Sequence, residues 1–92
     1  MEAIRFSQNT LYLLDQTRLP TEEVWRSYRD YRPVAEAIRT MVVRGAPAIG
    51  CAAAYAMALA AMGFEGKPDY AEHMAQAEQV LADSRPTAVN LF

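Results

Sequence analysis

The run from Ala46 to Met62 constrains the fold more than any other part of the sequence: 17 consecutive residues carry no charge, are mostly alanine, and are closed by Gly63. This is slightly short of the ~18 residues that suggest a membrane span, and Pro47 and Gly50 stand near its start. It therefore reads as a buried helix of a soluble, cytoplasmic protein. Proline at a first helical turn loses no hydrogen bond, because that amide has no partner anyway. A helix apolar on nearly every side has to be surrounded, so the remaining elements are expected to pack around it.

Those elements follow from the local patterns. Ile4, Phe6, Leu11 and Leu13 fall on two short segments around the polar stretch Ser7-Gln8-Asn9-Thr10, which predicts a β-hairpin. Pro20-Thr21-Glu22-Glu23 offers a capping threonine followed by two acids, which predicts a short helix carrying Val24, Trp25 and Tyr28. Asp30-Tyr31-Arg32-Pro33 is a second helix start. Val34, Ile38, Met41 and Val42 then repeat at the spacing of one helical face, with Gly45 placed to stop it. After the Gly66-Lys67-Pro68 linker, Asp69 and Glu72 resemble an acidic capping box ahead of a helix with Tyr70, Met74, Ala77 and Leu81 on its buried side. Ser84-Arg85-Pro86 begins what reads as another helix, and Val89, Leu91 and Phe92 only start a new apolar face. So short a helix is marginal in water, which suggests a fragment.

The expected fold class is α+β and mainly α: an N-terminal β-hairpin followed by a small bundle of about four helices, in one domain over residues 1–92. With 52% hydrophobic and 22% charged residues the composition is that of a folded domain. Nine basic against eleven acidic side chains give a net charge of -2, too balanced for a nucleic-acid groove or an anionic membrane surface. Any bound anion must be held locally. The lone Cys51 excludes an intramolecular disulfide, and one His73 with one Cys51 offers no metal-ligand spacing, so no metal is expected.

The chemistry concentrates at Arg44-Gly45-Ala46-Pro47-Ala48-Ile49-Gly50. It sets an arginine and free backbone amides just ahead of a helix start, where unsatisfied N–H groups and the helix dipole both favour negative charge. An arginine fork adds charge-assisted hydrogen bonds suited to phosphate, and Gly45 lets a ligand approach the backbone. The same residues also serve as a plain junction, with Gly45 a helix stop and Arg44 solvated; spacing alone leaves both readings open. Arg85 stands before Pro86 much as Arg44-Gly45-Ala46 stands before Pro47, so two guanidinium groups could meet one phosphate. Otherwise Arg85 is a solvated linker residue.

Other candidates point to structure. Asp15 is either a site acid at a strand end or, more commonly for such a position, a turn cap. Cys51 lies one turn into the alanine-rich helix without a nearby His or Lys, as expected of an inert buried thiol. His73 is expected on the solvated side of its helix. Tyr28, Tyr31, Tyr55 and Trp25 read as packing.

Three segments carry a wider resemblance: Leu11-Tyr12-Leu13-Leu14-Asp15-Gln16-Thr17-Arg18-Leu19-Pro20, Met41-Val42-Val43-Arg44-Gly45-Ala46-Pro47-Ala48-Ile49-Gly50, and Ser84-Arg85-Pro86-Thr87-Ala88-Val89-Asn90-Leu91-Phe92. In this order they resemble the N-terminal part of the methylthioribose-1-phosphate isomerase family, over essentially the whole chain. The resemblance implies an aldose-ketose isomerase of methionine salvage that converts 5-methylthioribose 1-phosphate to the ketose without metal or organic cofactor. It implies that Arg44, Gly45, Ala46 and Arg85 contact the substrate, chiefly its phosphate. It also implies a Rossmann-like domain after residue 92 that supplies the catalytic cysteine and aspartate, so no catalytic residue is expected in this chain. Cys51 does not match that cysteine, and relatives carry a small aliphatic residue at its position. Full-length members commonly form homodimers. The alternatives are a non-catalytic regulatory subunit of the related exchange factor for translation initiation factor two, or a related ribose-phosphate isomerase. Acidic residues in place of Arg44 or Arg85 would have favoured the regulatory relative.

Overall fold

The computed structural model describes residues 3–84. Three antiparallel strands, β1 (Ile4–Ser7), β2 (Thr10–Leu14) and β3 (Trp25–Tyr28), form a sheet in the order β1-β2-β3. The first two make the predicted hairpin. Gln8 and Asn9 both take positive φ, 52° and 61°, the pattern of the tight turn whose twist matches that of paired strands. Ile4 pairs with Leu13 and Phe6 with Leu11, so the four expected side chains share one face.

The predicted helix after Pro20 is instead β3. Thr21 does not cap a helix: its hydroxyl donates to the Arg18 carbonyl at 3.0 Å and closes a local turn. Val24, Trp25 and Tyr28 are good strand formers, and β2 offers them a free edge, with Leu13 opposite Arg26 and Leu11 opposite Tyr28. Sheet pairing with a distant segment overrides the local capping signal.

Helix α1 (Tyr31–Arg39) begins as predicted, the Asp30 carboxylate accepting from the Arg32 amide at 2.9 Å. It ends earlier than predicted. Met41 takes φ 68°, the Met41 amide donates to Ile38 at 3.2 Å, and the Val42 amide donates to Ala37 at 2.9 Å. These two bonds close the helix in the Schellman pattern, with methionine where glycine is usual. Met41 is thus exposed, while Val34 and Ile38 are buried.

Helix α2 (Ala46–Phe64) passes through Gly63 and stops before Gly66, whose φ is 79°. By length and composition it could cross a membrane. It packs against α1, the sheet, and α3 (Tyr70–Asp83) through Ala52, Ala53, Ala56, Leu59 and Ala60. Its alanines let these neighbours come close. The expected complete enclosure is not found: Cys51, Ala54, Ala58 and Met62 are exposed, because α1, α3 and the sheet cover only one side. In α3, Ala77 and Leu81 are buried as expected, whereas Tyr70 is exposed and Asp69 makes no side-chain cap bond. His73 is half-buried rather than solvated, its ring stacked on Phe64 at 4.3 Å.

One core joins the layers. Leu11 and Leu13 from the sheet meet Val34 and Ile38 of α1, the buried alanines and Leu59 of α2, and Leu81 of α3. Each fully buried leucine contributes roughly 1.5–3 kcal/mol relative to exposure. Three helices, not four, are present among the described residues, and the start predicted at Ser84-Arg85-Pro86 lies outside them from Arg85 onward.

Candidate functional site: the junction of α1 and α2

The junction is fixed from both sides. The Schellman closure of α1 sets the Val42 peptide, and the Val42 carbonyl accepts from the Gln16 amide at 3.0 Å, which ties the junction to the end of β2. Val43 is buried, and Arg44 emerges exposed directly after it. Gly45 then turns the chain with φ 88° and ψ 134°, a conformation that side-chain-bearing residues rarely take, and caps α2 without any side-chain bond.

This turn exposes donors. The first intrahelical bond runs from the Ile49 amide to the Gly45 carbonyl at 2.9 Å. Pro47 has no amide hydrogen, so the amides of Ala46 and Ala48 remain as donors without helical acceptors. Arg44 makes no hydrogen bond or ion pair among the described residues. A guanidinium without a partner among the described residues therefore adjoins the positive end of a 19-residue helix.

They open onto a cleft of about 220 Å³, lined by Arg44 and Ala48, by Val42 and Val43, and by Leu14 and Gln16 from the end of β2. Arg44, Gly45 and Ala46 are thus placed together at one helix start. Arg85 lies outside the described residues. Nothing local in the sequence points to Gln16, since the bond that brings it here joins it to Val42, far along the chain.

Asp15 supports this corner rather than entering it. It is 2% exposed and accepts from both the amide and the hydroxyl of Thr17 and from Arg26 Nε at 3.0 Å, while its own amide donates to Val24 at 2.8 Å. The Thr17 hydroxyl bond, joined by the Thr17 amide and Arg26, holds the Asp15 carboxyl below the usual carboxylate range against the opposing effect of burial. Asp15 is the turn cap that the sequence suggested. Cys51 is exposed, not buried as expected, because it lies on the open side of α2. Among the described residues no group of three or more His, Cys, Asp or Glu comes together as a metal site would require.

No family model matches the chain. Curated relatives do. The chain is 57% identical to the methylthioribose-1-phosphate isomerase of Pseudomonas syringae pv. syringae (strain B728a), a match covering 100% of this chain and 26% of the relative. It is 53% identical to the enzyme of the same name from Desulfitobacterium hafniense (strain DSM 10664 / DCB-2), covering 100% and 27%. The matched part is the N-terminal region, and the chain spans about a quarter of the length of these relatives. Among solved structures, 5-methylthioribose 1-phosphate isomerase from Pyrococcus horikoshii OT3 superposes with a TM-score of 0.90 at 38% identity, over 98% of this chain and 26% of that one. Translation initiation factor eIF-2B, subunit delta, from A. fulgidus superposes with a TM-score of 0.87 at 41% identity, over 100% and 27%.

Proposed function

We propose that this chain is the N-terminal, substrate-gripping part of a methylthioribose-1-phosphate isomerase, with the junction of α1 and α2 as its phosphate grip. The observation that carries the reading is the exposed Arg44, which has no partner among the described residues, beside the donor amides of Ala46 and Ala48 at the start of α2. A phosphate there would accept from the guanidinium fork and from backbone amides aligned with the helix dipole. Gly45 leaves the approach open, since even an added Cβ would meet nothing within 4 Å.

The grip would orient the substrate rather than transfer a proton. Moving hydrogen between C2 and C1 of an aldose phosphate needs an acid and a base in a water-poor site, and an arginine with fixed amides supplies neither. Its contribution is to anchor the sugar 1-phosphate against catalytic groups that we place in the larger remainder of a full-length protein. Arg85 belongs to the same proposal as a second phosphate ligand. The lone cysteine and balanced charge support a cytoplasmic location.

A second reading is a regulatory subunit, favoured by the similarity to eIF-2B subunit delta. The isomerase reading is tested by titration: 5-methylthioribose 1-phosphate should shift the backbone amides of Arg44, Gly45, Ala46 and Ala48. Absence of shifts at these residues, with changes centred elsewhere, would remove the support for the isomerase reading.

A further inference from the structure

We propose that Gln16 is a specificity-determining residue of this site, its side-chain amide reading a hydroxyl of the bound sugar phosphate. This rests on the phosphate-grip reading above. Gln16 lines the same cleft as Arg44 and Ala48, and the other lining residues, Ala3, Ile4, Leu14, Val42 and Val43, have apolar side chains. A guanidinium and backbone amides only donate, so they recognise charge and cannot receive the proton of a hydroxyl. The Gln16 carbonyl is therefore the only side-chain acceptor on the cleft wall among the described residues.

Hydrogen bonds tie down the backbone beneath it, whereas its carboxamide makes a single long one among the described residues. Gln16 donates its own amide to Val42 at 3.0 Å and follows Asp15, which is held by Thr17 and Arg26. Its Nε2 reaches the Leu14 carbonyl only at 3.4 Å, near the outer limit of a hydrogen bond. The second N–H and Oε1 have no partner among the described residues. A loosely held carboxamide with a free donor and a free acceptor suits a sugar hydroxyl, which gives one bond and takes another.

The test compares inorganic phosphate with ribose 1-phosphate as probes of the chain, measuring dissociation constants for the wild type, Gln16→Leu and Arg44→Ala. Gln16→Leu keeps the backbone bond to Val42 and removes the carboxamide. It is expected to weaken ribose 1-phosphate about three- to tenfold and leave inorganic phosphate within about twofold. Arg44→Ala should weaken both. An equal loss on both probes for Gln16→Leu, or no loss on the sugar phosphate, would overturn the role of Gln16 while leaving the phosphate grip intact. If the wild type binds neither probe, or Arg44→Ala weakens neither, the grip fails and the role of Gln16 with it. Should Gln16→Leu not fold, Gln16→Asn carries the same test, with a loss selective for the sugar phosphate in support and a uniform or absent loss against.

Discussion

Arg26 Nε donates to Asp15 Oδ2 at 3.0 Å, joining the middle of β3 to the turn that follows β2, and the carboxylate is almost fully buried while the guanidinium remains half in solvent. The pair lies at the seam that the local sequence did not predict. It fastens β3 to the sheet and, through Gln16, steadies the junction carrying Arg44.

A pH dependence follows. The folded Asp15 carboxyl titrates below its ordinary value, so its stabilisation is complete above the unfolded value near ~3.9 and is lost as pH falls through the folded value. Asp15→Asn should cost about 1–3 kcal/mol at neutral pH. For a chain of this size that lowers the melting midpoint by roughly 4–8 °C per kcal/mol. Thermal melts from pH 7 to pH 3 should show the wild-type and variant midpoints converging in acid. Parallel curves would remove Asp15 from the account.

Met41 holds a left-handed backbone at φ 68° that glycine adopts without penalty. Its side chain is 53% exposed and contributes little packing. Met41→Gly should stabilise the chain, by up to about 1 kcal/mol after the extra freedom glycine gives the unfolded state. Met41→Val, branched at Cβ, should destabilise it. Urea unfolding midpoints at unchanged slope check both.

Gly45 takes φ 88° in open space, so Gly45→Ala is a purely conformational change. It should cost roughly 1–3 kcal/mol and misalign the amides that follow. The expected result is a lower urea midpoint together with weaker phosphate binding. A variant as stable as the wild type would show that the turn is not strained for alanine.

Cys51, exposed on the open side of α2, should react with a thiol reagent in the folded chain to one equivalent. Protection until denaturant is added would place this face in contact with something.

The sequence showed most of what depends on neighbours along the chain. The hairpin was visible because Ile4, Phe6, Leu11 and Leu13 alternate, and the start of α2 because Pro47 and Gly45 act locally. The position of Arg44, Gly45 and Ala46 at the start of α2 was visible for the same reason. β3 was not, because Thr21-Glu22-Glu23 carries a helix signal that only the edge of β2 overrides. The early end of α1 was hidden by a methionine standing where a glycine stop is usual. Gln16 could not be placed from sequence, since its link to Val42 closes only in the fold.

The most direct test of the account is the affinity of the chain for 5-methylthioribose 1-phosphate with and without the Arg44 guanidinium, measured by calorimetric titration of the wild type and Arg44→Ala at equal ionic strength. A charge-assisted hydrogen bond to phosphate corresponds to about 10- to 100-fold in the dissociation constant, and a loss of that size is predicted. An unchanged dissociation constant in a folded Arg44→Ala variant would contradict the claim that the start of α2 grips the phosphate.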